Sequence, residues 1–371
     1  MSGPPRVRIV QMPKWGLAMQ EGTVREWHVA IGEVVAAGAP LCDIETAKIT
    51  NEFEAPEAGI VARLLAAPGD VVAVGRPIAV LAEPGTEAAA IEAALAAETV
   101  GTGSTAREER EIVRRVPTAA GEIACLDAGE AGRSEAVVLL HGWGGDHRSW
   151  TLVQPALAAH SRAVAFDLPG HGQSTRDVGD GSAEALAGRL DEAMRALGLE
   201  RVHLVAHSYG AELAGALVRR GGREVGAVAL LAPVGLGGSV NAGYIASFLA
   251  ARRKRDMRPV LEQLFASPEL VGREMVSEAL HLLRDEAASA ALRRIADHIA
   301  APAAPAAPIP VWADGLRLLV LWGAQDAIVP MPPGLAERLG RRLHVFDGCG
   351  HLPHVEAAGR SVALLLDHLA S

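Results

Sequence analysis

Val202-His203-Leu204-Val205-Ala206-His207-Ser208-Tyr209-Gly210-Ala211-Glu212-Leu213-Ala214 is the stretch on which the reading of this chain turns. The β-branched, apolar run up to Ala206 reads as a strand and the run from Ala211 reads as a helix, with almost nothing between them. So short a turn puts Ser208 at its apex, clear of the strand it follows. Working outward, strand-like runs recur at Ala136 to Leu140, Arg162 to Phe166, Val228 to Leu231, Leu316 to Leu321 and Leu343 to Phe346. Ala183 to Leu197 and Ala211 to Arg219 have helical periodicity, which gives βαβ units and a mostly parallel sheet. From about Gly237 to Trp312 the strands give way to helical pieces, ending in the Ala/Pro run Ala301 to Pro310, so this stretch is expected to cap the C-terminal edge of the sheet.

A serine hydroxyl is a weak nucleophile until a histidine takes its proton, and the histidine needs a carboxylate to set its tautomer. Asp326 follows a strand in Gly323-Ala324-Gln325-Asp326, and His351 follows the next in Gly348-Cys349-Gly350-His351. With His141-Gly142 after the Ala136 to Leu140 strand, the region resembles the α/β-hydrolase family, where nucleophile, acid and histidine come in this chain order. One departure is Ala206, where the family's G-x-S-x-G has its first glycine. The resemblance implies Ser208 as nucleophile, His351 as base, Asp326 as acid, and the amides of Trp143 and Tyr209 as oxyanion hole. The stretch Asp167 to Ser174 reads as turn chemistry, His141 and His207 as shapers of loops, and Cys349 as an inert thiol. The run Arg252-Arg253-Lys254-Arg255 with Arg258 reads as a solvated helix face; the alternative is a seat for the phosphates of a nucleotide-containing thiol.

The N-terminal part carries an internal repeat. Residues 22–44 align with residues 59–81 at a constant offset of 37, with nine of 23 pairs identical, a density that marks a duplicated unit. Each copy reads as strand, Gly turn, short strand, Gly-x-Pro turn, strand, so the pair predicts a small all-β sandwich. The copies join at Glu45-Thr46-Ala47-Lys48-Ile49, which places Lys48 at a hairpin tip on the dyad. This resembles the lipoyl domains of 2-oxoacid dehydrogenase complexes, and the resemblance implies that Lys48 carries lipoate in amide linkage. Biotinyl domains have the same fold but resemble Ala-Met-Lys-Met at the tip, and no methionine flanks Lys48.

The fold class expected is therefore multi-domain: a lipoyl domain over 1–83, an Ala/Gly-rich linker over 84–111, and an α/β-hydrolase-fold domain over 112–371 with its helical cap at about 237–312. A formal charge of −9 argues against a nucleic-acid binder, and no apolar run approaches the roughly 20 residues that cross a bilayer. Cys42, Cys125 and Cys349 are too few and too scattered for a disulfide framework or a metal site. A cytoplasmic protein without metal is expected. As a fusion, the chain resembles the dihydrolipoyllysine-residue acetyltransferase (E2) components of acetoin dehydrogenase complexes. That implies acetyl transfer from lipoyl-Lys48 to coenzyme A, with a thiamine-diphosphate-dependent E1 and a flavoprotein dihydrolipoamide dehydrogenase (E3) as partners in a homo-oligomeric core. Two routes remain open, an acetyl-Ser208 intermediate or direct attack by the coenzyme A thiol with His351 as base. The different-class alternative is a lipoyl-tethered hydrolase acting on a thioester, an ester or a carbon–carbon bond.

Overall fold

In the computed structural model the described residues are 7–13, 21–36, 38–46, 50–83, single positions within 86–95, 113–130, 132–237, 239–299 and 316–370. The chain divides into two compact units, Met1–Arg110 and Glu111–Ser371.

Among the described residues of the first unit are eight strands: β1 (Val7–Gln11), β2 (Glu21–Trp27), β3 (Val34–Val35), β4 (Pro40–Glu45), β5 (Thr50–Glu54), β6 (Gly59–Leu64), β7 (Val71–Ala73) and β8 (Pro77–Ala82). They form two four-stranded sheets, β1-β8-β6-β3 and β5-β4-β2-β7. The offset of 37 turns one sheet into the other, β2 becoming β6, β3 becoming β7 and β4 becoming β8. The register obeys it too: Val24 faces Ile44 in one sheet, and Val61 faces Leu81 in the other. Even the local irregularity is repeated, between Val24 and Glu26 and again between Val61 and Arg63. The two sheets bury the same positions against each other, Val24 with Val61, Leu41 with Ile78 and Ile44 with Leu81, and so make one core. Gly32 and Gly69 hold equivalent bends at φ +93° and +97°, a region that glycine enters at no steric cost.

The second unit begins with the hairpin β9 (Val113–Thr118) and β10 (Gly121–Ala128), then β11 (Glu135–Leu140), a 3-10 turn at His147–Trp150, α1 (Gln154–Ala158), β12 (Ala163–Phe166), α2 (Ala183–Ala196), β13 (Arg201–His207), α3 (Gly210–Arg220) and β14 (Glu224–Leu231). Four helices follow: α4 (Ala242–Ala250), α5 (Lys254–Glu262), α6 (Arg273–Arg284) and α7 (Glu286–Ile299). The unit closes with β15 (Arg317–Gly323), α8 (Leu335–Leu339), β16 (Leu343–Phe346), α9 (Pro353–Glu356) and α10 (Ala358–Ala370).

One sheet of order β16-β15-β14-β13-β11-β12-β10-β9 runs through the unit. Its six strands from β11 to β16 are parallel, and β10 and β9 are antiparallel at one edge. Period-two alternation sends Val138 and Leu140 to the face covered by α2 and α3, and Val137 and Leu139 to the face covered by α1 and α10. Both faces are thus buried, and this unit has the α/β-hydrolase fold; the unit that precedes it in sequence is an all-β sandwich of lipoyl type. The β9–β10 hairpin is an addition to the sequence reading. Arg114 and Arg115 interrupt β9, and of its residues only Val116 is buried, so its apolar signal is weak. Among the described residues no helix is long and apolar enough to cross a membrane.

Candidate active site

Ser208 stands between β13 and α3 with φ +52°, a left-handed conformation that costs a non-glycine residue about 1–3 kcal/mol. Its surroundings hold it there. The Ser208 N–H donates to the Leu231 carbonyl at 2.9 Å, and the Ser208 carbonyl accepts from Ala211 and Val234 at 3.0 and 3.1 Å. Two residues on, α3 passes so close to β11 that a Cβ on Gly210 would lie 2.4 Å from the Leu140 carbonyl oxygen, so only glycine fits. Ala206 sits wholly buried in β13, in register with Leu140 and Leu230, where a methyl group is accommodated. The departure from the family's first glycine is therefore harmless to the turn.

Asp326 and His351, on the loops after β15 and β16, meet at 2.8 Å between Oδ2 and Nδ1, and both are buried. The other carboxylate oxygen of Asp326 accepts the N–H groups of Ile328 and Val329, each at 2.9 Å. A carboxylate satisfied in this way is rigid, and it takes the proton-bearing Nδ1 of His351, leaving Nε2 as the basic nitrogen. Among the described residues Nε2 has no protein partner. The His351 backbone N–H is tied at 2.8 Å to the Leu264 carbonyl, in the segment that leaves α5.

The loop after β11 closes over Ser208. A Cβ on Gly142 would lie 3.1 Å from that of Ser208 and 2.8 Å from His207 Nδ1, so the backbone passes directly above the serine. His141 Nε2 accepts the Leu168 N–H at 3.0 Å, so its proton is on Nδ1, which donates to the Gly142 carbonyl at 2.8 Å. The Gly145 N–H donates to that carbonyl as well. Because a trans peptide points its C=O and the next N–H to opposite sides, this turns the Trp143 N–H away from His141. The backbone N–H groups of Trp143 and Tyr209 donate to no protein acceptor among the described residues. The Trp143 ring reaches into the cap, its Nε1 donating to the Leu292 carbonyl at 3.1 Å and the ring itself meeting that of Phe248 in a T-shaped contact.

His207 donates from Nε2 to the His351 carbonyl at 2.9 Å, and the two rings pack at a steep tilt, 4.7 Å between centroids. Burial holds the imidazoles of His141 and His207 below their ordinary range, His207 the further, so both are neutral supports rather than acids. In the Asp167 to Ser174 stretch, the buried Asp167 carboxylate accepts the His147 N–H and ring at 2.8 and 2.7 Å and the Gln173 N–H at 2.7 Å. Burial would raise that carboxyl, yet these partners hold it below the usual range. Its work is to brace the loop that supports His141. Cys349 is buried and its thiol is pushed up to about 12 by desolvation, which leaves it protonated and inert.

Some of this framework carries no signal in the sequence. Glu356 on α9 accepts the N–H groups of Gly350 and Ala266 and so clamps the histidine loop to the cap segment. Gly323 must be glycine, since a Cβ there would lie 1.9 Å from the Gly350 carbonyl oxygen. Glu356 lies in no motif, and the stretch that ends in Asp326 does not say why it must begin with glycine, because the partners of both residues are long-range backbone groups. Lys48, with Ala47 and Ile49, lies outside the described residues. The described residues on either side, Glu45 of β4 and Thr50 of β5, are paired in one sheet.

Two family models match the chain, the alpha/beta hydrolase family over residues 137–364 and the biotin-requiring enzyme family over residues 8–81. The chain is 36% identical to the dihydrolipoyllysine-residue acetyltransferase component of the acetoin cleaving system of Cupriavidus necator, over 98% of both chains. To the component of the same name from Pseudomonas putida it is 32% identical, over 95% of this chain and 96% of that one. Among solved structures, a meta-cleavage product hydrolase from Pseudomonas fluorescens superposes with a TM-score of 0.62 at 24% identity, covering 71% of this chain and 99% of that one, a likeness of fold.

Proposed function

Because the chain belongs to the alpha/beta hydrolase family, and within it to the acetyltransferase components of acetoin cleaving systems, we propose that Ser208, His351 and Asp326 move an acetyl group from a thioester on the Lys48 arm to coenzyme A. The observation that carries this reading is the fusion itself. One chain, similar end to end to those components, joins a lipoyl-type sandwich to a strained serine whose histidine and carboxylate are already paired. The lipoyl group, when bound to Lys48, supplies the thioester-bearing arm.

The residues of this chain do the rest. His351 Nε2 takes the Ser208 proton while Oγ attacks the acetyl carbonyl, and the oxyanion that forms meets the N–H groups of Trp143 and Tyr209. Each such donor is worth about 2.7–4 kcal/mol in comparable sites. The imidazolium, steadied by Asp326, returns its proton to the leaving thiolate, and an acetyl-Ser208 ester remains. The coenzyme A thiol then loses its proton to His351 and attacks the ester carbonyl, and the imidazolium gives that proton to the departing Ser208 Oγ as acetyl-coenzyme A leaves. Burial of Ser208 and His351, with 7% and 2% of their surfaces exposed, favours a thiol delivered to the site over bulk water. The complex partners are a thiamine-diphosphate-dependent E1 and a flavoprotein E3, in a homo-oligomeric assembly of the cytoplasm.

The test uses free acetyl-dihydrolipoamide as donor, with and without coenzyme A, and measures acetyl-coenzyme A against acetate. Coenzyme-A-dependent transfer that disappears in Ser208→Ala supports the reading. Transfer that survives Ser208→Ala but not His351→Ala replaces the acyl-serine route with direct thiol attack. Acetate in equal amount with or without coenzyme A makes the domain a hydrolase.

A further inference from the structure

In a protein of formal charge −9, residues 252–273 carry six basic side chains against three acidic ones. Three of the six converge on one recess. Lys254 and Arg258 of α5 and Arg273 of α6 line, with Val276, a cavity of about 320 Å³. Arg258 is partly spent, donating to the Val271 carbonyl at 3.0 Å and lying 3.6 Å from Glu262. Lys254 and Arg273 are exposed, and among the described residues neither has an ion-pair partner.

Each of these two cations is the first residue of its helix, α5 opening after Arg253 and α6 after Gly272, and neither helix has a side-chain cap. The positive end of a helix dipole repels a cation, and the first turns answer it with one acid each, Asp256 and Glu274; residues 252–274 still carry six basic against four acidic side chains, an excess that an anionic ligand suits. The amides of both first turns point the same electrostatic way as the side chains. The far end of α5 leads to Leu264, whose carbonyl holds the backbone of His351. At 1.5 Å of rise per residue, Arg258 and Lys254 stand about 6 and 12 Å along the axis from Glu262, where α5 ends two residues before Leu264. Coenzyme A has roughly 15 Å of extended chain between its sulfur and its first phosphorus, at ~3.5 Å for every three bonds.

We propose that the recess between α5 and α6 seats the phosphates of the acyl acceptor, so that α5 sets the distance at which the acceptor thiol meets His351. The proposal rests on the acetyl-transfer reading for the identity of the ligand, a thiol carrying a nucleotide diphosphate. Lys254 and Arg273 supply the unspent charge, and Arg258 a third donor already placed by Val271.

Titration calorimetry on the full chain tests it, with coenzyme A, its 3′-dephospho form and pantetheine as ligands. The variants are Lys254→Gln, Arg273→Gln and their combination, at exposed positions where folding is not at stake; thermal melting confirms that. The double variant is expected to weaken coenzyme A at least tenfold, leave pantetheine unchanged, and raise KM for coenzyme A with kcat from free acetyl-dihydrolipoamide little altered. Unchanged coenzyme A affinity in the double variant overturns the proposal, as does a wild-type chain that binds coenzyme A no more tightly than pantetheine. A loss confined to transfer from the chain's own lipoyl arm also overturns it, since the recess would then receive carboxylates of the first unit. If coenzyme A binding depends on these residues while the chain releases only acetate, the recess stands and the acetyl-transfer reading falls.

Discussion

Among the described residues the first unit puts left-handed backbone on glycine alone, whereas the second uses glycine, as at Gly132 and Gly198, and also holds two residues there that are not glycine. In the sandwich the bends at Gly32, Gly38, Gly69 and Gly75 are all glycines, and at Gly32, Gly69 and Gly75 nothing lies within 4 Å of an added Cβ. These bends shape the chain and need no side chain. In the hydrolase-fold unit Ser208 and Ala232 occupy positive φ without being glycine, packed and hydrogen bonded from several directions. Where the bend only redirects the chain, glycine takes it; where a hydroxyl must stand on the bend, neighbours such as Leu231 and Val234 hold the strain.

The sharpest way to break that comparison is to give the second unit the first unit's solution. Ser208→Gly removes the strain together with the nucleophile. Turnover is expected to fall about 10⁴-fold, the scale on which triad members act, while stability rises by about 1 kcal/mol as the left-handed strain is relieved. Steady-state kinetics and thermal melting read the two halves. A variant neither slower nor more stable would show that Ser208 is neither nucleophile nor strained.

Next in size is Gly210→Ala. Its methyl group would meet the Leu140 and His141 carbonyl oxygens at 2.4 and 2.7 Å, both rigid backbone. A loss of about 3 kcal/mol is expected, at the upper end of overpacking costs, with turnover falling because α3 is pushed off Ser208. Denaturant unfolding that leaves the midpoint within error of wild type would contradict the close approach.

These sites differ in how they could be read from the chain. The sandwich was legible because its interactions come in pairs at an offset of 37: the Gly32 N–H donates to the Val61 carbonyl as Gly69 donates to Val24. Ala30 and Ala67 likewise give their N–H groups to Glu33 and Asp70. The hydrolase-fold unit announced Ser208, Asp326 and His351 by strand-ending motifs in a characteristic order. It did not announce Glu356, Gly323 or the Leu264 carbonyl, whose roles depend on backbone groups brought together only by folding. Nor did it announce β9, whose single buried residue leaves no periodic pattern.

Symmetry makes the third prediction quantitative. Gly32→Ala and Gly69→Ala place a methyl group in open space at nearly equal φ, so each costs only the left-handed conformation, about 1–2 kcal/mol. The two losses are expected to match within about 0.5 kcal/mol and to add in the double variant, as independent sites do. Unequal losses, read by denaturant unfolding of the full chain, would mean that the duplicated halves are not equally loaded.

The smallest effect lies where the symmetry fails. His28 Nε2 stands 3.0 Å from Asp43 Oδ1 at the sandwich surface, while the positions 37 residues on are Leu65 and Val80, which cannot pair. The hydrogen bond to Asp43 raises the His28 imidazole above its ordinary value of 6.5, against a small opposing loss of hydration, with Glu26 and Glu52 adding to the pull. A raised folded value means the pair stabilises fully below pH 6.5 and loses its contribution as pH climbs through the folded value. Half-exposed charges of this kind are worth under about 0.5 kcal/mol, so the effect belongs to one half of the sandwich and is small. Titration of the His28 ring by NMR in the full chain should show a midpoint above 6.5 that returns toward it in Asp43→Asn. A midpoint indifferent to Asp43 would assign the shift to the general acidity of the surface and leave the two halves electrostatically alike.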